Sequence, residues 1–139
     1  MKVFLDTAVL VSAVATRGLC ADVLREVLTS HQIIISPSLI DELRRILRLK
    51  IGVPEETIND YVNLLRQDAI EVGESIHLTL DINDKDDIKI ISEAISGGAA
   101  LFVTGDKELN NIKTLRHLVI VTPRGFWELL KSEETGNRE

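Results

Sequence analysis

The sequence predicts a doubly wound, three-layer α/β domain built on a central, mostly parallel sheet of about five strands. Two observations predict this fold class. Short, continuously apolar and β-branched runs alternate along the chain with segments whose apolar residues recur every three or four positions. Continuous apolar runs, rather than alternating ones, are typical of strands that helices cover on both faces, as in a parallel sheet.

The predicted strands are short and rich in Val, Ile, Leu and Phe. In chain order they cover residues 2–5, 32–36, 69–72, 100–104 and 118–122. The helical patterns cover residues 18–30, 37–49, 54–67, 85–96 and 123–131. Pro37 and Pro54 stand where the first turn of a helix tolerates proline, and a Gly-Gly pair at 97–98 follows the fourth helix as a stop signal.

Length and composition predict one domain over residues 1–131, followed by a polar, frayed tail over 132–139. No apolar run reaches the roughly 18 residues of a membrane span, and the first residues lack the features of a signal peptide. The single cysteine, Cys20, suits a reducing cytoplasm, which is the location we expect. The net charge of −6 argues against bulk electrostatic binding of nucleic acid but leaves room for a local basic patch.

Acidic residues follow two of the predicted strands. Asp6 comes directly after the first strand, and Asp106 lies two residues beyond Thr104, at the end of the fourth. Because the carboxyl ends of parallel strands open onto the same edge of a sheet, these two carboxylates should meet there.

Helical phase, at about 100° per residue, places two more acids near that edge. Glu42 lies on the border of the apolar stripe of the second predicted helix, whereas its neighbour Asp41 points to water. Asp87 lies in line with the apolar stripe of the fourth predicted helix, and Asp86 projects toward a flank. A carboxylate on the buried side of a helix is costly unless it is paired, protonated or bound to a cation.

Most of these acids also have a purely structural explanation. Asp84 and Asp106 stand where helix N-caps are expected, and Asp87 could complete a capping box. Glu42 could be a solvated helix residue whose stem covers the core. Asp6 is harder to explain in this way, because a charge that ends a central apolar strand rarely serves structure alone. The joint placement of four acids therefore favours a functional site.

Clustered carboxylates predict a hard cation as their cofactor. They repel one another and take up protons unless a cation neutralises them. Oxygen ligands without His or Cys select Mg²⁺ or Mn²⁺, and one or two such ions, about 4 Å apart in paired sites, promote cleavage of a phosphodiester by water. Thr104 could contact a water on the metal or a phosphate oxygen, although a threonine that ends a strand is more often structural.

Basic residues mark possible contacts with a phosphate backbone. Arg44, Arg45, Arg48 and Lys50 cluster on the outward side of the second predicted helix, and Arg17 lies in the loop before the first. A solvated helix face with cations in its last turns explains the cluster equally well. Aromatic residues make up only 4% of the chain, which argues against base stacking as the main binding mode.

Four blocks of the sequence resemble PIN domains in their order and spacing. The blocks read VFLDTAVLVSA, ISPSLIDELRRIL, NDKDDIKIISEA and LFVTGDKEL. The chain resembles this family over residues 2–131, and most closely the toxin components of prokaryotic toxin–antitoxin pairs. The resemblance implies a PIN fold, a Mg²⁺- or Mn²⁺-dependent endoribonuclease acting on RNA, a cognate antitoxin as partner, and a homodimer. It assigns the family's acidic quartet to Asp6, Glu42, Asp87 and Asp106, with Asp84 and Asp86 as possible substitutes.

One departure from the family pattern bears on activity. The first block usually reads Asp-Thr-Asn or Asp-Ser-Asn, and this chain has Ala8 at the third position. In the family, the amide at this position would orient Asp6 or bind a metal-bound water. Without it, the alternative function is that of a PIN scaffold of weakened activity that binds RNA or protein. A phosphatase that forms an aspartyl-phosphate is a further class, but it needs a second Asp where Ala8 stands.

Overall fold

A computed structural model describes residues 1–73, 79–80, 82 and 84–137 of the chain. Its strands are β1 (Lys2–Leu5), β2 (Gln32–Ile35), β3 (Ile70–Glu71), β4 (Leu101–Val103), β5 (Thr114–Leu115) and β6 (Leu118–Val121). Its α-helices are α1 (Thr7–Ala15), α2 (Leu19–Ser30), α3 (Pro37–Ile46), α4 (Glu55–Arg66), α5 (Lys85–Ser96), α6 (Lys107–Ile112) and α7 (Pro123–Asn137).

The strands form one sheet in the order β3-β2-β1-β4-β6-β5. All neighbouring strands in it are parallel except β5 and β6, which form an antiparallel hairpin. The prediction of an α/β domain with a mostly parallel sheet is confirmed. β5 was not predicted, because its two residues are too few to show a strand pattern. The residues on either side of it, Lys113 and Arg116, both have a positive φ.

β1 lies at the centre of the core. Its residues Val3, Phe4 and Leu5 are consecutive and fully buried. Since successive side chains of a strand point to opposite faces, both faces of the sheet are covered, which gives the three predicted layers. The ring of Phe4 stacks on that of Phe102 in β4, with 5.3 Å between ring centroids. Each such side chain contributes roughly 1.5–3 kcal/mol by burial, so the β1–β4 pair is a strongly stabilised part of the sheet.

Helix α3 begins with a side-chain cap and ends earlier than predicted. The Ser36 hydroxyl accepts a hydrogen bond from the backbone N–H of Leu39 at 3.2 Å, and Pro37 occupies the first turn. The α-helix ends at Ile46 rather than at residue 49, and a π-helical segment continues to Ile51. Gly52 then ends the segment at a φ of 79°, a conformation that glycine adopts without strain.

Two helices fall on segments where the sequence predicted no element. α1 begins directly after Asp6, whose Oδ1 accepts a hydrogen bond from the backbone N–H of Thr7 at 2.8 Å. The residues of α1 are apolar on nearly every side, and the helix packs against both α2 and α3, so its sequence shows no helical period. α6 has only six residues, too few for a periodic pattern.

The C-terminal helix is longer than predicted. α7 continues to Asn137, so most of the tail predicted to be frayed over 132–139 is helical in the structure, and residues 138–139 lie outside the described part of the chain. No single helix in the described ranges has the length and apolar composition of a membrane span. α1 and α2 meet that test only as a pair bent by 107°.

Gly97, just after α5, lies too close to the sheet for any side chain. A Cβ at this position would lie 2.7 Å from Cγ2 of Ile34 and 2.8 Å from Cγ2 of Val72. Both of those side chains are buried in the close-packed interior. The contact therefore fixes the position of α5, which carries Asp87, against β2 and the segment after β3.

We predict that Gly97→Ala lowers the free energy of unfolding by about 1–3 kcal/mol, because the added methyl group overpacks the core. Urea denaturation monitored by circular dichroism measures the change. Gly105→Ala is the matched control, since a Cβ at Gly105 would meet no atom within 4 Å. Equal losses in both variants would contradict the steric explanation.

Candidate functional site

The register of β1 and β4 brings Asp6 and Thr104 together. Leu5 pairs with Val103, and the backbone N–H of Asp6 donates to the carbonyl oxygen of Val103 at 3.0 Å. One residue further on, the Thr104 hydroxyl donates to Oδ2 of Asp6 at 2.8 Å. Thr104 is fully buried, so the structure places its hydroxyl on Asp6 as a support for that carboxylate.

Asp6 is half-buried at the carboxyl edge of the sheet. Burial raises the pKa of its carboxyl group above the ordinary value, and the charge of Asp106 adds to the rise. The hydrogen bonds from Thr104 and from the backbone N–H of Thr7 oppose the rise, because they stabilise the ionised form. The carboxylate is thus fixed in position but incompletely neutralised.

Asp106 caps α6 and is tied to Thr104. Its backbone N–H donates to Oγ1 of Thr104 at 3.1 Å, and its Oδ1 accepts a hydrogen bond from the backbone N–H of Leu109 at 3.1 Å. The expected capping role is therefore real, yet Asp106 is exposed at the same edge as Asp6. The Asn110 amide donates to the carbonyl oxygens of Thr104 and Asp106, each at 2.8 Å. Asn110 thus holds this loop in place, a role that the sequence analysis missed.

Glu42 reaches the site from α3. Its Oε2 accepts a long hydrogen bond, 3.4 Å, from the Thr7 hydroxyl in the first turn of α1. Burial is the main cause of its raised pKa and the charge of Asp6 is the second. Arg45 lowers the pKa and Asp86 raises it. The charges of Asp6 and Asp86 therefore act directly on the carboxyl group of Glu42.

Asp87 shows the strongest coupling. It is half-buried, as helical phase predicts, and its pKa is raised from 3.8 to about 6. Burial is the largest cause, followed by the charges of Asp84, Asp106, Asp6 and Glu42. The charges of the other three acids of the predicted quartet therefore all act on Asp87 at this edge of the sheet.

The other sequence-predicted positions lie around this group. Asp84 caps α5 by accepting a hydrogen bond from the backbone N–H of Asp86 at 2.9 Å, and both residues are exposed. Ala8 is exposed in the first turn of α1, directly beside Asp6. Arg17 lies in the loop beyond α1, about 13 Å of helix away from Asp6. It is therefore separated from the acids by the whole of α1.

The predicted arginine cluster divides between two sides of α3. Arg48 donates two hydrogen bonds to Glu55 of α4, both at 2.9 Å, and so holds the pKa of Glu55 below its ordinary value. Arg44 donates to Oδ1 of Asn59 at 2.8 Å. The structure thus places Arg44 and Arg48 against α4, away from the acids, whereas Arg45 faces Glu42.

A cleft of about 240 Å³ opens between α3 and α5 beside the acids. Its walls include Glu42 and Arg45 from α3, and Asp86 and Lys89 from α5. The sequence did not indicate Lys89 as a residue of the site, because the pattern of a single helix does not show which exposed lysine faces a cleft. Arg45 and Lys89 give this cleft two cations next to the carboxylates.

The donor chemistry of the site fits Mg²⁺ or Mn²⁺. The available ligands are carboxylate oxygens, which these ions prefer, and burial followed by the charges of neighbouring acids raises the pKa of Asp6, Glu42 and Asp87. As the side chains stand, no three acids, histidines or cysteines of the described chain lie close enough together to hold a metal ion. The Thr7–Glu42 hydrogen bond, at 3.4 Å, is long and holds the Glu42 carboxylate weakly.

We predict that Asp87→Asn stabilises the metal-free protein at pH 7.5 but not at pH 4. The raised pKa means that folded Asp87 binds more protons than unfolded Asp87 between about 3.8 and 6, so stability falls as pH rises through that window. The gain at pH 7.5 should be roughly 1 kcal/mol, because solvent screens this half-exposed group.

Urea denaturation with a chelator present, repeated from pH 4 to pH 7.5, measures this difference. Asp86→Asn is the matched control, since it removes an exposed carboxylate from the same first turn of α5. A gain for Asp87→Asn that is independent of pH would contradict the coupling.

Comparisons with known proteins agree with this architecture. The fold is similar to one chain of the crystal structure of VapBC2 from Rickettsia felis bound to a DNA fragment from their promoter, with a TM-score of 0.62. The two chains are 17% identical, and the match covers 88% of this chain and 98% of the other. A search of curated proteins gives no significant match.

A family model supplies the assignment that the four sequence blocks predicted. The model of the PIN domain matches residues 2–108. This range contains β1, the α3–α5 cleft and all four acids that meet at the edge of the sheet. The chain therefore belongs to the PIN domain family.

Proposed function

We propose that this PIN domain is a metal-dependent endoribonuclease that hydrolyses RNA phosphodiesters. The observation that carries the proposal is the placement of Asp6, Glu42, Asp87 and Asp106 at one edge of the sheet, where the charges of the other three raise the pKa of Asp87. These acids come from four different segments, and folding holds them together although their charges repel. Such an arrangement costs stability, which a cation-dependent activity would explain.

The proposed cofactor is Mg²⁺ or Mn²⁺, held by Asp6, Asp87, Asp106 and Glu42. A divalent cation at such a site supplies activation of water and stabilisation of the leaving oxygen. Thr104 positions Asp6 by its hydrogen bond, and Asn110 positions the loop that carries Asp106. Both therefore act on the carboxylates rather than on the substrate.

The proposed substrate contact is the α3–α5 cleft. Arg45 and Lys89 line it on opposite walls and would bind the phosphates on either side of the cleaved bond. Arg44 and Arg48 are already paired with α4 and contribute little there. The acidic net charge of the chain agrees with a short RNA contact rather than an extended one.

The proposed biological setting is the toxin–antitoxin pair. The similarity in fold to a chain of VapBC2 supports an antitoxin as partner. A homodimer, on the strength of the sequence resemblance, and a cytoplasmic location, which the single cysteine suits, complete the proposal. An antitoxin would restrain the nuclease until it is released.

We predict that the wild-type protein cleaves single-stranded RNA when Mn²⁺ is present and that Asp6→Asn lowers the rate by roughly 100-fold or more, because the central ligand is lost. Cleavage of a fluorescently labelled RNA panel measures the rate, and Mn²⁺ binding is measured by calorimetry. Asp68→Asn is the matched control, since Asp68 is exposed just before β3, at the opposite edge of the sheet.

The same experiment separates the proposal from its alternative. If the folded wild type neither cleaves any RNA of the panel nor binds Mn²⁺, the nuclease proposal fails. The chain would then be a PIN scaffold that binds RNA or protein without cleaving it.

We predict that Ala8→Asn raises the Mn²⁺-dependent cleavage rate by about tenfold. Ala8 is exposed beside Asp6, and an amide there would orient the carboxylate through a hydrogen bond. Ala15→Asn is the control, because Ala15 is exposed at the other end of α1. An unchanged rate in Ala8→Asn would show that Thr104 and the Thr7 backbone already orient Asp6 fully.

A further inference from the structure

A second cleft continues from the first along the groove between α3 and α5. It measures about 210 Å³ and is lined by Pro37, Ser38, Val72, Gly73, Lys89 and Glu93. Ser38 and Lys89 line both clefts, so the two are continuous. On α5, Asp86, Lys89 and Glu93 follow one another at helical spacing and line the groove from the acidic site inward. The second cleft therefore lies directly next to the proposed place of cleavage.

Glu93 is the unusual residue of this second cleft. It is only 5% exposed, and its Oε2 has no hydrogen-bond partner in the described part of the structure. Folded proteins rarely leave a buried polar atom unpaired, because it loses its bonds to water without replacement. The acids of the proposed metal site do not explain Glu93, since it lies six residues beyond Asp87, or about 9 Å along the helix axis. Its Oε2 is thus an acceptor that lacks a donor.

We infer that the second cleft binds one nucleobase of the RNA beside the cleaved phosphodiester, and that Glu93 recognises it as guanine; this inference rests on the proposed nuclease function. A carboxylate only accepts hydrogen bonds. Guanine presents N1–H and N2–H side by side on its base-pairing edge, whereas the other bases place an acceptor next to each donor. Single-stranded RNA exposes that edge for recognition by side chains.

The shape and lining of the second cleft agree with a single base. Its volume is below the roughly 300–1,000 Å³ of sites that enclose whole drug-sized ligands. Pro37, Val72 and Gly73 give it walls without polar side chains, which suit the faces of an aromatic ring. Lys89, at the junction of the two clefts, supplies a cation for the phosphate that joins this base to the acidic site.

The test is a titration of the full-length, metal-free protein with guanosine and inosine 5′-monophosphates, followed by ¹H–¹⁵N NMR. Inosine monophosphate lacks only the N2 amino group. We expect the guanine nucleotide to shift the amide signals of Val72, Gly73 and Glu93, and to bind about tenfold more tightly than the inosine nucleotide. Glu93→Gln should remove this preference, because an amide presents one donor to the two N–H groups.

Glu71→Gln is the matched control, since Glu71 is exposed on β3 and pairs with Arg66. It should keep the guanine preference. Equal binding of the two nucleotides, an unchanged preference in Glu93→Gln, or no shift at these amides would overturn the inference. Broadening of the same signals by Mn²⁺ alone, lost in Glu93→Gln, would identify a cation site instead and would also overturn it.

A cleavage assay separates this inference from the proposed function. Glu93→Gln should still cleave RNA with Mn²⁺ but lose about tenfold in its preference for guanine next to the cleaved bond. Cleavage with an unchanged preference would overturn the inference and leave the nuclease intact. A wild type that binds guanosine monophosphate selectively but cleaves nothing would contradict the nuclease and leave the base site standing.

Discussion

The parallel pairing of β1 with β4 is the constraint on which the site depends. It joins residues 98 positions apart in the chain, Asp6 and Thr104, through one hydrogen bond at the carboxyl edge of the sheet. A shift of one residue between the strands would turn either side chain to the opposite face. The stacked rings of Phe4 and Phe102 oppose such a shift, because it would separate them. The same apolar packing that stabilises the core therefore sets the position of the first carboxylate.

The acidic residues of the site lower the stability of the fold that positions them. Each of Asp6, Glu42 and Asp87 has a raised pKa, which means that folding makes its ionised form less favourable. Buried strands on one side and the close approach of α5 at Gly97 on the other provide the compensating stability. Functional sites commonly lower the stability of a protein in this way, and the rest of the fold compensates for the loss.

Local patterns in the sequence were enough to predict five of the six strands and five of the seven α-helices of the described chain, together with the edge of the sheet at which the acids lie. Strand ends and helical phase depend on residues close in sequence, and Asp87 lies where its phase indicates. Other features depend on tertiary packing and have no local signal. The sequence cannot indicate that Arg48 faces Glu55 while Arg45 faces Glu42, since both arginines lie on an exposed helix surface. The burial of Glu93 was missed for the same reason, because a glutamate in a helix usually reaches solvent.

The sheet also has a property that concerns the protein's behaviour at high concentration. Its two outer strands, β3 and β5, have only two residues each. A strand of this length offers too few free backbone groups to pair with a strand of another molecule. The longer strands β1, β2 and β4, which are apolar apart from Lys2 and Gln32, would aggregate readily at an edge but have a neighbouring strand on both sides. Short outer strands thus limit pairing of the sheet with another molecule without covering its carboxyl edge.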